Sequence, residues 1–264
     1  MLSVVLATVS MASPVPPLAV SFSPAGLLFP YYVGVGYELR RQGIITEGTP
    51  IGGSSAGSIV STALACGVSE EAVLDGLKEL VADVRAGTRL NVALRSQLDI
   101  LLDDDSPATA EAHALKICYF EVLPRPGGRL VTSWASKQDL IDTVCASCAW
   151  PFFFSPWPFV LCRRSLTLDG FFGVPRERFG CPPFEAERCL AITALPKVSL
   201  PAFSCADLIQ AGSTGLQELP VGEAQWFSWA LEPAPDENLE AMVELGRAHA
   251  RSWASKQEGG SAAM

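Results

Sequence analysis

The alternation of short apolar segments with longer amphipathic ones is the feature that most narrows the folds open to this chain of 264 residues. Short buried strands are predicted over residues 18–22, 50–53, 166–168 and 190–195, and a hairpin over residues 117–123 and 129–133. Helical spacing of apolar residues predicts helices over residues 29–42, 58–66, 70–86, 91–102, 136–145 and 238–253. Strands that alternate with helices favour an α/β sandwich around a mostly parallel sheet.

The beginning of the chain differs from the rest. Residues 1–12 are apolar, but no basic residue precedes them, and the stretch is too short to span a bilayer. Prolines at positions 14, 16 and 17 end this stretch. We therefore interpret residues 1–17 as an N-terminal tail and residues 18–264 as a single domain, with no other segment apolar enough to form a spanning helix.

Composition and charge limit the classes of ligand. Apolar residues make up 49% of the chain, and the formal net charge is -9. Clustered Lys and Arg, which neutralise phosphates, are absent, since the pairs Arg40-Arg41 and Arg163-Arg164 are isolated. These observations argue against a nucleic-acid binder and favour an apolar substrate.

Neither the cysteines nor the acidic residues form a convincing metal site. The lone Cys145-x-x-Cys148 pair ends an amphipathic helical run, which favours packing in the core over zinc or redox chemistry. The acidic triplet Asp103-Asp104-Asp105 is interpreted as a solvated helix end before a Ser-Pro turn. We predict no metal and no cofactor.

Residues Gly53-Ser54-Ser55-Ala56-Gly57 match the pattern G-x-S-x-G, in which a serine lies on a tight turn between a strand and a helix. A short apolar segment precedes the motif, and a predicted helix of small residues follows it. Ser55 would therefore lie at a helix N-terminus, where backbone N–H groups stabilise an oxyanion. The alternative is that a turn rich in glycine and serine only connects the two elements.

A nucleophilic serine needs a base, and the chain contains only two histidines. His113 is predicted to lie exposed on a helix, whereas His249 lies downstream on the last helix and could complete a conventional triad. Asp169 is the better candidate because it ends a short apolar strand and is followed by Gly170. Partial burial there raises the pKa of a carboxyl group and makes it a more effective base. Asp-Gly is also a common turn pair, which is the structural alternative.

Several ordered motifs together resemble the patatin-like phospholipase family over residues 18–173. They are the turn at Ser23–Gly26, the segment Tyr31–Val35, the elbow at Gly53–Gly57, the segment Ala146–Pro151 and the pair Asp169-Gly170. The resemblance implies a three-layer α/β/α fold and a Ser-Asp dyad without histidine. It assigns Ser55 as nucleophile and Asp169 as base, with oxyanion donors from the turn at Ala25, Gly26 and Leu27.

Two departures from the family pattern matter for the chemistry: the turn keeps only Gly26 of the three glycines in G-x-G-x-x-G, and a large residue follows Asp169-Gly170. Pro24 replaces the first glycine of the glycine-rich turn, and proline has no N–H to donate. Phe171 follows Asp169-Gly170 where the family has a small residue, which places a bulky ring near the base. These departures motivate a second hypothesis, in which a catalytically weak or inactive relative binds lipid or a protein partner.

The leading hypothesis is a lipid acyl hydrolase that cleaves esters of phospholipids or glycerolipids through an acyl-enzyme. Aromatic residues after Pro151 are then candidates for a pocket lining or a membrane-facing lip, although they could also plug the core: Phe152, Phe153, Phe154, Trp157 and Phe159. An intracellular location is favoured, with peripheral contact to a membrane or a lipid droplet as a further expectation.

Overall fold

The computed structural model describes residues 15–196, 205–213 and 217–261. The predicted tail therefore lies almost entirely outside the described residues. The strands of the described part are β1 (Leu18–Phe22), β2 (Ile51–Ser54), β3 (Lys116–Leu123), β4 (Gly127–Val131), β5 (Val160–Cys162), β6 (Ser165–Leu168), β7 (Arg188–Thr193) and β8 (Asp207–Gln210). Its α-helices are α1 (Phe29–Arg41), α2 (Ala56–Ala65), α3 (Glu70–Arg85), α4 (Leu90–Leu101), α5 (Ser106–Ala112), α6 (Lys137–Ser147), α7 (Glu223–Ser228) and α8 (Asp236–Ser261).

The strands of the described residues form one mixed sheet of eight strands. Strands β8, β7, β1, β2 and β3 are parallel neighbours in that order. Strands β4 and β6 pair antiparallel with β3, and β5 pairs antiparallel with β6. Helices flank the sheet, so the predicted α/β/α sandwich with a mostly parallel sheet is confirmed.

The order of the strands determines where a site can form. Strands β1 and β2 are adjacent, in the register Phe22 opposite Gly53, and both end at the same edge of the sheet. The turn after β1 and the elbow after β2 therefore meet at the carboxyl ends of the strands, where ligands bind in open α/β sheets.

Four elements were not predicted: α5, β5, β8 and α7. The segment after the acidic triplet was predicted to be a turn, which is wrong because Ser106 and Pro107 begin α5. Proline is well suited to the first turn of a helix, since its missing N–H would have no partner there. The isolated pair Arg163-Arg164 forms the tight turn between β5 and β6, with positive φ at both residues.

Helix α1 packs closely against α8. A Cβ atom at Gly34 would lie 2.0 Å from the carbonyl oxygen of Val243, and one at Gly246 would lie 2.2 Å from that of Tyr31. Only glycine permits this approach of the two backbones. None of the helices in the described ranges combines the length and the apolar character needed to cross a bilayer.

Candidate active site

Ser55 occupies the bend between β2 and α2, with φ 53° and ψ -129°. This conformation is strained for a residue with a side chain and is typical of functional turns. The flanking glycines allow it: a Cβ atom at Gly53 would lie 2.3 Å from the carbonyl carbon of Gly57, and one at Gly57 would lie 2.5 Å from the carbonyl oxygen of Phe22. The geometry is that of a nucleophile elbow.

Asp169 follows β6 and is fully buried. Its backbone N–H donates to the carbonyl oxygen of Ala149 at 3.0 Å. The Oδ1 atom accepts a hydrogen bond of 2.8 Å from the N–H of Phe171. The other oxygen, Oδ2, is buried and has no hydrogen-bond partner in the described part of the chain. A buried carboxylate oxygen without a partner is costly, and such atoms are often found where a reaction needs them.

Burial raises the pKa of Asp169 from its ordinary value of 3.8 to about 7, against the opposing effects of the Phe171 N–H and the Ser55 hydroxyl. The hydroxyl is thus close enough to affect the carboxylate, although the two groups do not reach the distance and angle of a hydrogen bond. Hydrogen bonds of this kind are often loose before substrate binds. At neutral pH a substantial fraction of Asp169 is ionised and able to accept a proton.

Ser55 and Asp169 line the same cavity, which has a volume of about 330 Å³. Ala25, Gly26 and Ala56 also line it. Most of the remaining wall is apolar, from residues that include Leu27, Phe29, Ile59, Leu80, Leu90, Leu94, Phe153, Phe154, Phe179, Phe227 and Leu231. The cavity can therefore hold an apolar chain with its reactive end against Ser55.

The turn after β1 supplies fewer oxyanion donors than predicted. Leu27 N–H already donates to the carbonyl oxygen of Ala230 at 2.9 Å, so the prediction that Leu27 contributes a donor is wrong in this structure. The N–H groups of Ala25 and Gly26 meet no acceptor among the described residues. Gly26 has φ 57°, and a Cβ atom there would lie 2.1 Å from the Ala230 oxygen, so glycine is required.

A further donor comes from the elbow. Ala56 is the first residue of α2, and its N–H meets no acceptor in the described ranges. The residue after a nucleophile commonly provides such a donor. Ala25, Gly26 and Ala56 therefore each offer an N–H group beside the cavity. The sequence predicted donors at the helix N-terminus after Ser55 but did not name Ala56.

The two departures from the family pattern have different consequences. Pro24 lines the cavity without contributing an N–H. Phe171 does not displace the carboxylate: its N–H orients Asp169, and its ring packs against Trp150, Phe172 and Phe179 with centroid distances of 5.2 to 5.7 Å. The bulky ring is part of the cavity wall.

Some of the aromatic residues after Pro151 line the cavity, and others form an exposed apolar surface. Phe153 and Phe154 line the cavity, and Phe154 is buried. Phe152 and Trp157 are 67% and 72% exposed. One loop therefore supplies both a wall of the cavity and an exposed apolar surface.

His249 is not available to Ser55. Its Nδ1 atom lies 2.8 Å from the Tyr31 hydroxyl, and its Nε2 atom lies 2.8 Å from the carbonyl oxygen of Gln217. The carbonyl oxygen of Gln217 can only accept, so Nε2 donates to it. Burial lowers the pKa of the ring, which favours the neutral form in which Nδ1 accepts from the Tyr31 hydroxyl. His249 does not line the cavity. The conventional triad is therefore wrong.

The cysteine pair has the buried position that was predicted for it. Cys145 and Cys148 are free thiols, and burial raises the pKa of both. No group of three or more His, Cys, Asp or Glu side chains suited to a metal occurs within the described ranges.

Ser147, the last residue of α6, belongs to the segment Ala146–Pro151 that resembles the family, but the sequence assigned it no role. Its Oγ atom accepts a hydrogen bond of 2.9 Å from the N–H of Ser55 and donates one of 2.6 Å to the carbonyl oxygen of Cys118. A serine near the end of a predicted helix has no sequence signal for such a role, because the contact spans 92 residues.

A family model described as patatin-like phospholipase matches residues 20–170, which is more than half of the chain and includes both Ser55 and Asp169. A search of curated proteins found no significant match. Among solved structures, that of VipD from Legionella pneumophila aligns with a TM-score of 0.48 and 12% sequence identity, over 90% of this chain and 68% of that one. A likeness at this level says nothing about activity.

Proposed function

The chain belongs to the patatin-like phospholipase family, and from that premise we propose that it hydrolyses fatty-acyl esters of phospholipids or glycerolipids with Ser55 and Asp169. Lipid acyl hydrolysis is the general activity that the family indicates. The observation that carries the specific proposal is the buried, unpartnered Oδ2 atom of Asp169 in the same cavity as the strained Ser55.

In the first half of the reaction, Asp169 accepts the proton of the Ser55 hydroxyl while Oγ attacks the carbonyl carbon of the ester. The resulting oxyanion is stabilised by the N–H groups of Ala25, Gly26 and Ala56. The ester C–O bond then breaks, Asp169 returns the proton to the leaving alcohol, and the acyl group remains on Ser55.

In the second half, Asp169 accepts a proton from water, which attacks the acyl-enzyme. The proton passes to Ser55 Oγ as the acyl bond breaks, and a fatty acid is released. The pKa of about 7 suits this role, because general bases work best when their pKa lies near the working pH.

The mouth of the cavity supports peripheral contact with a lipid surface. Trp150, Phe227 and Leu231 line the cavity and are also exposed, and Phe152 and Trp157 extend from the same loop as Trp150. We call these five residues the apolar rim. Aromatic rings of this kind bind at the boundary between headgroups and acyl chains. The acidic net charge of -9 favours neutral or zwitterionic lipids over anionic ones.

An intracellular location is part of the proposal. All eight cysteines are free thiols, none in a disulfide, which is typical of proteins from reducing compartments. Association with a membrane or a lipid droplet in the cell would follow from the apolar rim.

One observation favours the second candidate function, a relative that binds lipid with little or no turnover. The turn after β1 has lost two donors, because Pro24 has no N–H and the Leu27 N–H is bonded to Ala230. Each lost oxyanion donor typically costs about 10²- to 10³-fold in rate. The two proposals predict the same binding and differ in turnover.

The test is turnover of a p-nitrophenyl ester and of a phospholipid in mixed micelles by the wild type and by Ser55→Ala. The proposal predicts hydrolysis by the wild type that falls to the background rate in Ser55→Ala. Wild-type protein that binds the micelles without releasing fatty acid would instead support the second candidate. Hydrolysis that persists in Ser55→Ala would overturn the assignment of the nucleophile.

A further inference from the structure

The last turn of α6 and the residues just after it contact the backbones of both members of the proposed dyad. Ser147 accepts the N–H of Ser55, and Ala149 accepts the N–H of Asp169 at 3.0 Å. Ser55 and Asp169 are 114 positions apart in the sequence, but these two contacts are separated by one residue. One short segment thus contacts the backbones of both the nucleophile and the base.

The hydroxyl of Ser147 is oriented by a second bond. Because it donates to the carbonyl oxygen of Cys118 at 2.6 Å, a lone pair of Oγ is left facing the N–H of Ser55. Cys118 lies on β3 opposite Ser54 of β2, directly before the elbow. Ser147 is fully buried, so no solvent competes for either bond.

The hydrogen bond to Ser147 is made by Ser55, the residue of the elbow whose backbone is strained. Ser55 has positive φ, and its N–H points out of the strand ladder towards α6. A buried N–H without a partner carries a large penalty, which would favour relaxation of the elbow. Relaxation would rotate the Ser55 side chain relative to Asp169.

We infer that Ser147 is a positioning residue: it holds the strained backbone of Ser55 so that the hydroxyl faces the Asp169 carboxylate. It does not contact the substrate, since it does not line the cavity. This role rests on the proposed hydrolysis by Ser55 and Asp169. A displacement of about 1 Å in reacting groups can cost about 100-fold in rate.

The experiment compares kcat and KM for a p-nitrophenyl ester in wild type, Ser147→Ala, Ser147→Cys and Thr143→Ala. Active sites are titrated with a fluorophosphonate, so that unfolded molecules do not enter kcat. Ser147→Ala removes the acceptor, whereas Ser147→Cys keeps the size and replaces it with a weaker one. Thr143 is the matched control: it is equally buried on α6, but its hydroxyl donates to the carbonyl oxygen of Asp139 of the same helix at 2.7 Å and not to the elbow.

The expected result is a fall in kcat of about 100-fold in Ser147→Ala, with KM unchanged, an intermediate fall in Ser147→Cys, and wild-type kcat in Thr143→Ala. If Ser147→Ala does not fold, the fall in kcat of Ser147→Cys tests the role of Ser147 instead. A kcat equal to that of the wild type in the Ser147 variants, with turnover dependent on Ser55 intact, would overturn the role of Ser147 alone. Absence of such turnover in the wild type would overturn the proposed function as well.

Discussion

The cavity completely buries the side chain of Asp169, and the α1–α8 interface completely buries that of His249, but the hydrogen bonding of the two groups is opposite. At the interface, both nitrogens of His249 are hydrogen-bonded, to Tyr31 and to Gln217. In the cavity, Asp169 uses one oxygen to accept from Phe171 and leaves the other without a partner in the described part of the chain. Burial favours the neutral form of both groups, but only in the cavity does it bring a pKa to about 7.

This difference separates a structural role from a chemical one. A buried polar group with all its bonds formed contributes to a specific packing of two helices. A buried polar group with a bond missing lowers stability and remains free to react. Substitutions at the two sites should therefore have opposite effects on activity and on stability.

The largest expected effect is on the activity of Asp169→Asn. Asparagine keeps the size of the side chain and can still accept from the Phe171 N–H, but it cannot take a proton from Ser55. We expect kcat/KM to fall by about 10² to 10⁴-fold, the usual contribution of a general base. A fall of less than about tenfold, measured with a p-nitrophenyl ester, would show that Asp169 is not the base.

The same substitution should stabilise the fold at high pH. Because the pKa of Asp169 is raised from 3.8 to about 7, its contribution to stability is complete below pH 4 and is lost as the pH rises to 7. Asparagine removes this loss. Urea unfolding should show Asp169→Asn more stable than wild type at pH 8, by up to about 4 kcal/mol at about 1.4 kcal/mol per pKa unit, and similar to it at pH 4. Equal stability at pH 8 would mean that the carboxylate is better solvated than the structure indicates.

At the interface, His249→Ala should show the reverse pattern. It leaves the Tyr31 hydroxyl and the Gln217 carbonyl without their partner and opens a cavity between α1 and α8. We expect the free energy of unfolding to fall by about 1 to 3 kcal/mol, while kcat per titrated active site stays at the wild-type value. A loss of kcat comparable to that of Asp169→Asn would restore the conventional triad.

The smallest expected effect concerns the apolar rim at the mouth of the cavity. Trp157→Ser should weaken partitioning onto phosphatidylcholine vesicles by about 1 kcal/mol, or roughly fivefold, because a largely exposed ring no longer enters the interface. Val15→Ser is the control, since Val15 is exposed but precedes β1 at the opposite edge of the sheet. Equal losses in the two variants, measured by vesicle sedimentation, would contradict a role for the rim.

The sequence predicted the regular elements and the family well, and the family-model match over residues 20–170 confirms the resemblance. Ser55 and Asp169 could be proposed because each follows a short apolar strand and has a glycine nearby. Leu27 was assigned wrongly because its N–H bonds to Ala230, and no local pattern reveals an acceptor 203 positions away. Ser147 was missed for the same reason. A segment as short as β5 has too few residues to show an alternating pattern of apolar side chains. It forms a strand because it pairs with the neighbouring β6.

The pairing of Ser55 with Asp169 is tested most directly by the rate at which a fluorophosphonate labels Ser55 as the pH is varied. In the wild type we expect labelling, located by peptide mapping, to increase with pH with a midpoint near 7, the pKa of Asp169. In Asp169→Asn it should be slow and lose this midpoint, and Ser55→Ala should not be labelled. Labelling of Ser55 at the same rate and with the same midpoint in Asp169→Asn would contradict the dyad.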